Sequence, residues 1–102
     1  MHYRVILSSE AQNDFQEVKR YIARDSLMAV ERFAGLLTSK IKMLGRHPEM
    51  GRVVPEIGNV RIREMIIKNY RVIYEVDFLH KQVVIHHYWH AARGTPKIRG
   101  CS

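Results

Sequence analysis

Two amphipathic helical stripes separated by almost nothing constrain this sequence more than any other feature. Val30, Phe33, Leu37, Ile41 and Leu44 step by three, four, four and three residues, with Leu36 widening the band. That spacing puts all of them on one face of a helix. Upstream, Ala11, Phe15, Val18 and Ile22 step by four, three and four, leaving Asp14, Glu17, Arg20 and Arg24 largely on other faces. The break between the stripes is Asp25-Ser26, either residue of which can cap the second helix. A link so short forces an antiparallel helical hairpin. Helices of this length draw most of their stability from packing an apolar face, so the hairpin needs a sheet to lie on.

The rest of the chain supplies one. Residues 3–7 read as a strand, after which Ser9 and Gln12 have the S-x-x-Q spacing of a capping box. Gly45 is expected to stop the second helix. Residues 45–59, punctuated by Gly45, Pro48, Gly51, Pro55 and Gly58, read as a long ordered loop. Three strands follow: 60–67, then 70–76 across a Lys68-Asn69 turn, then 82–88 after a turn through 77–81. In the middle strand Tyr70, Val72, Tyr74 and Val76 share one face, which reads as core, and Arg71, Ile73 and Glu75 the other. The expected fold is α+β in the order β-α-α-β-β-β: an N-terminal strand, then an antiparallel helical hairpin packed on a mainly antiparallel sheet that three C-terminal strands complete. The other face of the sheet is expected to be open, a natural place for a partner. Residues 1–93 read as a single domain and 94–102 as a basic C-terminal tail.

At 102 residues the chain is long enough for one hydrophobic core. Seventeen Lys and Arg against ten Asp and Glu give a net charge of +7, which calls for an acidic partner, nucleic acid or an anionic protein segment. Charge does not choose between them. The single cysteine, Cys101, rules out an intramolecular disulfide. The opening residues lack the apolar core of a signal peptide and no run is long enough to span a membrane, so the expected address is the cytoplasm.

An ordered series of motifs resembles a known family. It starts with Ser8-Ser9-Glu10-Ala11, Tyr21-Ile22-Ala23 and Ala29 to Phe33. It continues with Leu44, Pro48-Glu49-Met50-Gly51-Arg52, Arg63-Glu64 and Asn69-Tyr70-Arg71-Val72-Ile73-Tyr74-Glu75-Val76. Val83-Val84-Ile85 and His90-Ala91-Ala92-Arg93 close it. Spread over residues 3–93, these resemble the RelE/ParE toxin superfamily of type II toxin–antitoxin systems. The resemblance implies the fold derived above and a cognate antitoxin whose acidic C-terminal segment wraps the toxin in a hetero-oligomer. It also implies one of two activities. RelE-type members are ribonucleases that cut messenger RNA on the ribosome; ParE-type members inhibit DNA gyrase and are not known to be enzymes. The Pro-x-x-Gly-Arg loop, the Tyr-Arg-x-x-Tyr strand and the His-x-x-Arg ending are closer to the ParE branch. A third possibility is a non-toxic co-repressor acting with its antitoxin.

Ribonuclease chemistry needs a base, an acid and cations around the attacked phosphate. Arg61, Arg63 and Arg71 supply cations if they share the open face, and His87, Tyr88 or His90 supply acid or base, with Arg93 nearby. The lysine cluster and C-terminal catalytic tyrosine that the resemblance to RelE would imply are not evident. For target binding the candidates are Arg63, Arg71, His90, Arg93, Lys97 and Arg99. Each has a plainer reading as well: Arg61 and Arg63 as solvated strand residues, Arg71 as a cross-strand partner of Glu64 or Glu75. His86, His87 and His90 do not read as a metal site, because neighbours in a regular strand point to opposite faces and no further ligand has a familiar spacing. No phosphate-binding glycine loop appears, and no cofactor is expected.

Overall fold

A computed structural model describes residues 2–91 of the chain. Among these the elements run β1 (Arg4–Leu7), α1 (Ser9–Ala23), α2 (Leu27–Arg46), β2 (Arg52–Val53), β3 (Ile62–Ile67), β4 (Tyr70–Asp77) and β5 (Gln82–His90). The sheet order is β1-β5-β4-β3-β2. β1 runs parallel to β5 and the other pairings are antiparallel. The α+β architecture expected from the periodicity is the one observed, with β2 as an additional strand cut from the long loop. Arg93 and the basic tail, with Lys97, Arg99 and Cys101, lie outside the described residues.

The helix ends differ from expectation in instructive ways. Ser8, not Ser9, caps α1: its hydroxyl oxygen accepts from the Ala11 N–H at 3.0 Å and its O–H donates to the His86 carbonyl at 3.1 Å. One side chain thus closes the helix and ties it to β5. Ser9 is already the first helical residue and bonds only outward, to Glu10. Ser26 caps α2 by accepting from the Ala29 N–H at 3.3 Å. Gly45 does not stop α2, which runs to Arg46. Its role is close approach: its carbonyl accepts from the Tyr3 N–H at 2.7 Å, and a Cβ there would lie 3.2 Å from the Tyr3 carbonyl.

Both helices lie on one face of the sheet. Ala11, Val18, Phe33, Leu37 and Leu44 pack onto Tyr70, Val72, Tyr74, Val76, Val83, Ile85 and Tyr88. As expected, the alternating tyrosine-valine face of β4 is core. The opposite face is not left wholly open, as the sequence suggested. Val54 and Ile57, from the loop after β2, fold over Ile62 and Ile73 in a second small core. Tyr74 anchors the preceding stretch of loop, donating to the Pro48 carbonyl at 2.9 Å and accepting from the Gly51 N–H at 2.9 Å. Only glycine fits at position 51, where a Cβ would sit 2.5 Å from the Glu64 carbonyl oxygen.

Candidate functional site

The register of β3, β4 and β5 decides which of the candidate residues can act together. Arg63 sits opposite Tyr74 and His90 opposite Tyr70, on the helix-covered side. Arg71 sits opposite Ile66, and His87 opposite Ile73, on the other side. Arg61 precedes β3 and is exposed. The cations that ribonuclease chemistry would gather on one surface are therefore divided between two.

Their side chains are also committed. Arg63 donates to the carbonyls of Gly51 at 2.9 Å and Val60 at 3.0 Å and pairs with Glu49, clamping the loop that leads into β2. Arg71 is buried and faces two carboxylates, Glu64 at 2.5 Å and Glu56 at 3.1 Å. Glu64 is itself fully buried and takes a second cation, Arg52, at 2.6 Å on its other oxygen. Burial alone would depress the Arg71 guanidinium, but Glu64 and Glu56 outweigh it and hold the group above its ordinary value. The result is a charge-balanced quartet across β2, β3, β4 and the following loop. Of the two partners the sequence offered for Arg71, it is Glu64 that takes it. The pairing of Arg52 and Glu56 in this quartet had no periodic signal, since both lie in the stretch read as loop, although Arg52 closes the Pro-x-x-Gly-Arg motif.

Glu75 is engaged elsewhere. Between Ile73 and Tyr74 the ladder slips, so that Ile73 pairs with His87, Tyr74 with Ile85, and His86 is left over as a bulge. This overturns the alternation expected of the two histidines. His86 Nε2 meets Glu75 Oε1 at 2.9 Å, and His87 Nδ1 meets Asp14 Oδ2 of α1 at 2.9 Å. The same Asp14 oxygen accepts from the Tyr88 N–H at 3.2 Å, where β1 has ended and β5 has a free edge. Each histidine is thus held by a carboxylate from a different element. Among the described residues no group of three His, Cys, Asp or Glu is placed to hold a metal ion.

His90 stands edge-on to Tyr70, ring centroids 5.3 Å apart, at the rim of a cleft of about 600 Å³ between α1 and the ends of β4 and β5. Arg20, Arg24, Asp14 and Glu17 line it beside Tyr21 and Tyr88, so it carries both signs of charge. Burial, and then the Asp14 charge, push the Tyr88 phenol up to about 12. Its hydroxyl is buried and has no hydrogen-bond partner among the described residues. No helix among the described residues is long and apolar enough to cross a membrane.

Comparison with known proteins agrees with this geometry. The family model described as the ParE toxin of the type II toxin–antitoxin system parDE matches residues 5–94. No curated protein sequence matches the chain. Among solved structures, a chain of the toxin–antitoxin complex RelBE2 from Mycobacterium tuberculosis is similar with 25% identity and a TM-score of 0.59, over 88% of this chain and 99% of that one. A chain of the chromosomal ParDE system from P. aeruginosa has a TM-score of 0.68 at 12% identity, over 87% of this chain and 96% of that one. A mutant of the E. coli toxin RelE in the free state has a TM-score of 0.65 at 13% identity, over 92% of this chain and 88% of that one. The last two likenesses carry the fold alone.

Proposed function

The chain belongs to the ParE toxin family of type II toxin–antitoxin systems, and from that premise we propose that it arrests growth by binding DNA gyrase rather than by cutting RNA. One observation carries the choice: Arg63 and Arg71, two of the three strand arginines considered for phosphate chemistry, are split between two faces of the sheet and tied up. Arg71 is neutralised by Glu64 and Glu56, and Arg63 clamps a loop. A phosphate entering this face would have to break a buried ion pair, at a cost of several kcal/mol. Binding to a protein target needs no such rearrangement. Arg61, Arg93 and the basic tail residues Lys97 and Arg99 supply cationic contacts on this reading. A cognate antitoxin with an acidic C-terminal segment neutralises the toxin in a cytoplasmic hetero-oligomer on this reading; the RelBE2 toxin–antitoxin complex, and a RelE mutant in complex with an antitoxin peptide, are similar structures that contain an antitoxin.

The second reading, messenger RNA cleavage on the ribosome, draws on the two carboxylate-backed histidines, His86 with Glu75 and His87 with Asp14. Expressing the chain without antitoxin separates the readings. Gyrase inhibition leaves message intact and relaxes plasmid DNA taken from the arrested cells. Cut message with normally supercoiled plasmid favours the ribonuclease. Unimpaired growth with folded protein favours a co-repressor.

A further inference from the structure

The cleft between α1 and the ends of β4 and β5, at about 600 Å³, falls within the roughly 300–1,000 Å³ of small-molecule sites. Tyr88 belongs to its lining and is only 3% exposed, and the Tyr88 hydroxyl is buried with no hydrogen-bond partner among the described residues. Folded proteins leave few buried polar groups in that condition, because each costs its full desolvation. Burial and the Asp14 charge keep this phenol protonated at neutral pH, so what it lacks is an acceptor. Three further rings, Tyr21, Tyr70 and His90, line the same cleft. Arg20 and Arg24, one turn apart at the end of α1, line it as well and form no ion pair among the described residues. Asp14 is already held by His87 and the Tyr88 N–H, which leaves Glu17 as the opposing charge in the lining. Cations in the last turn of a helix complement its dipole. That accounts for the arginines, but not for a buried donor without an acceptor beside three aromatic rings.

We propose that this cleft binds a small planar aromatic acid. Its ring packs against Tyr21, Tyr70 and His90, its carboxylate meets Arg20 and Arg24, and a hydrogen-bond acceptor at the opposite end of the ring takes the Tyr88 O–H. Tyr21, which is 58% exposed, opens the way to the hydroxyl by a change of rotamer. The planar shape follows from the rings, the negative charge from two arginines against one open carboxylate, and the acceptor from the protonated phenol. The proposal does not depend on which target the toxin binds.

The test titrates the full chain with 4-hydroxybenzoate and, separately, with benzoate, read by isothermal titration calorimetry. Saturable binding of 4-hydroxybenzoate is expected with a dissociation constant on the order of 0.1–1 mM, ordinary for so few atoms. Benzoate, which lacks the acceptor, should bind about tenfold more weakly, the scale of one hydrogen bond. In Tyr88→Phe that preference should vanish, the two acids binding alike. An Arg20→Gln, Arg24→Gln double variant should weaken both acids about tenfold while keeping the preference, the scale of two exposed charge contacts. If Tyr88→Phe fails to fold, the two acids on the parent chain and on the arginine variant decide. Absence of saturable binding in the millimolar range overturns the proposal. So does an equal affinity of the parent chain for the two acids, a preference that survives in Tyr88→Phe, or binding indifferent to the loss of both arginines.

Discussion

Two side chains express the chemistry of this fold most sharply. Glu64 is sealed within the sheet with a guanidinium on each oxygen, Arg52 on one and Arg71 on the other. Removing it takes from Arg71, which is itself buried, one of the two carboxylates it faces and leaves it Glu56. Glu64→Ala is expected to cost about 3–5 kcal/mol in urea denaturation, the penalty for breaking a buried pair from one side. Tyr88 is the opposite case, a buried hydroxyl with no partner among the described residues, whose phenol is pushed up to about 12. Its folded value lies above its unfolded value near 10, so the unfolded chain loses this proton first. The contribution is whole below about pH 10 and is lost as pH rises toward about 12, some 3 kcal/mol in all. Tyr88→Phe should therefore flatten stability between pH 10 and 12 relative to the parent chain. At pH 7 it should be neutral or slightly stabilising, because it removes an unsatisfied polar atom. Equal pH profiles for the two proteins would contradict the assignment.

At the scale of elements, the serine pair before α1 distinguishes sequence spacing from structure. Both residues suit an N-cap, and the S-x-x-Q spacing favours Ser9, yet it is Ser8 that bonds both Ala11 and His86. Ser8→Ala should cost about 1 kcal/mol or somewhat more, and Ser9→Ala less than about 0.5. Thermal unfolding of the two variants, with the order reversed, would restore the capping-box reading. The helical hairpin and the three long strands were legible because their apolar periods are long and unbroken. β2 was not, since two residues have no period; only the register of Arg52 and Val53 against Glu64 and Arg63 makes them a strand. The bulge at His86 was hidden for a related reason. The run from Val83 to Tyr88 alternates well enough to read as regular, and the slip exists only in relation to β4. Gly45 misled because a glycine near the end of an apolar stripe signals a stop, whereas here it lets α2 touch Tyr3.

Over the whole molecule, the sheet presents its helix-covered side and its other side to different tasks. The alternation within each strand was readable, but the relative register of strands was not. Arg63 and Arg71 were accordingly considered for one surface and turn out to lie on two. Half of the ion quartet was foreseeable, in the pairing of Arg71 with Glu64; Arg52 and Glu56 come from a loop whose path no local pattern specifies. What remains for function is a basic chain of net charge +7 in which Arg63 and Arg71 are both paired with carboxylates, which suits a protein target and an acidic neutraliser. The most direct measurement is a supercoiling titration with purified gyrase and the purified, folded chain. Supercoiling should fall progressively to completion as the chain is added, and recover when antitoxin is supplied. Full supercoiling at a large molar excess of the folded chain would contradict the account.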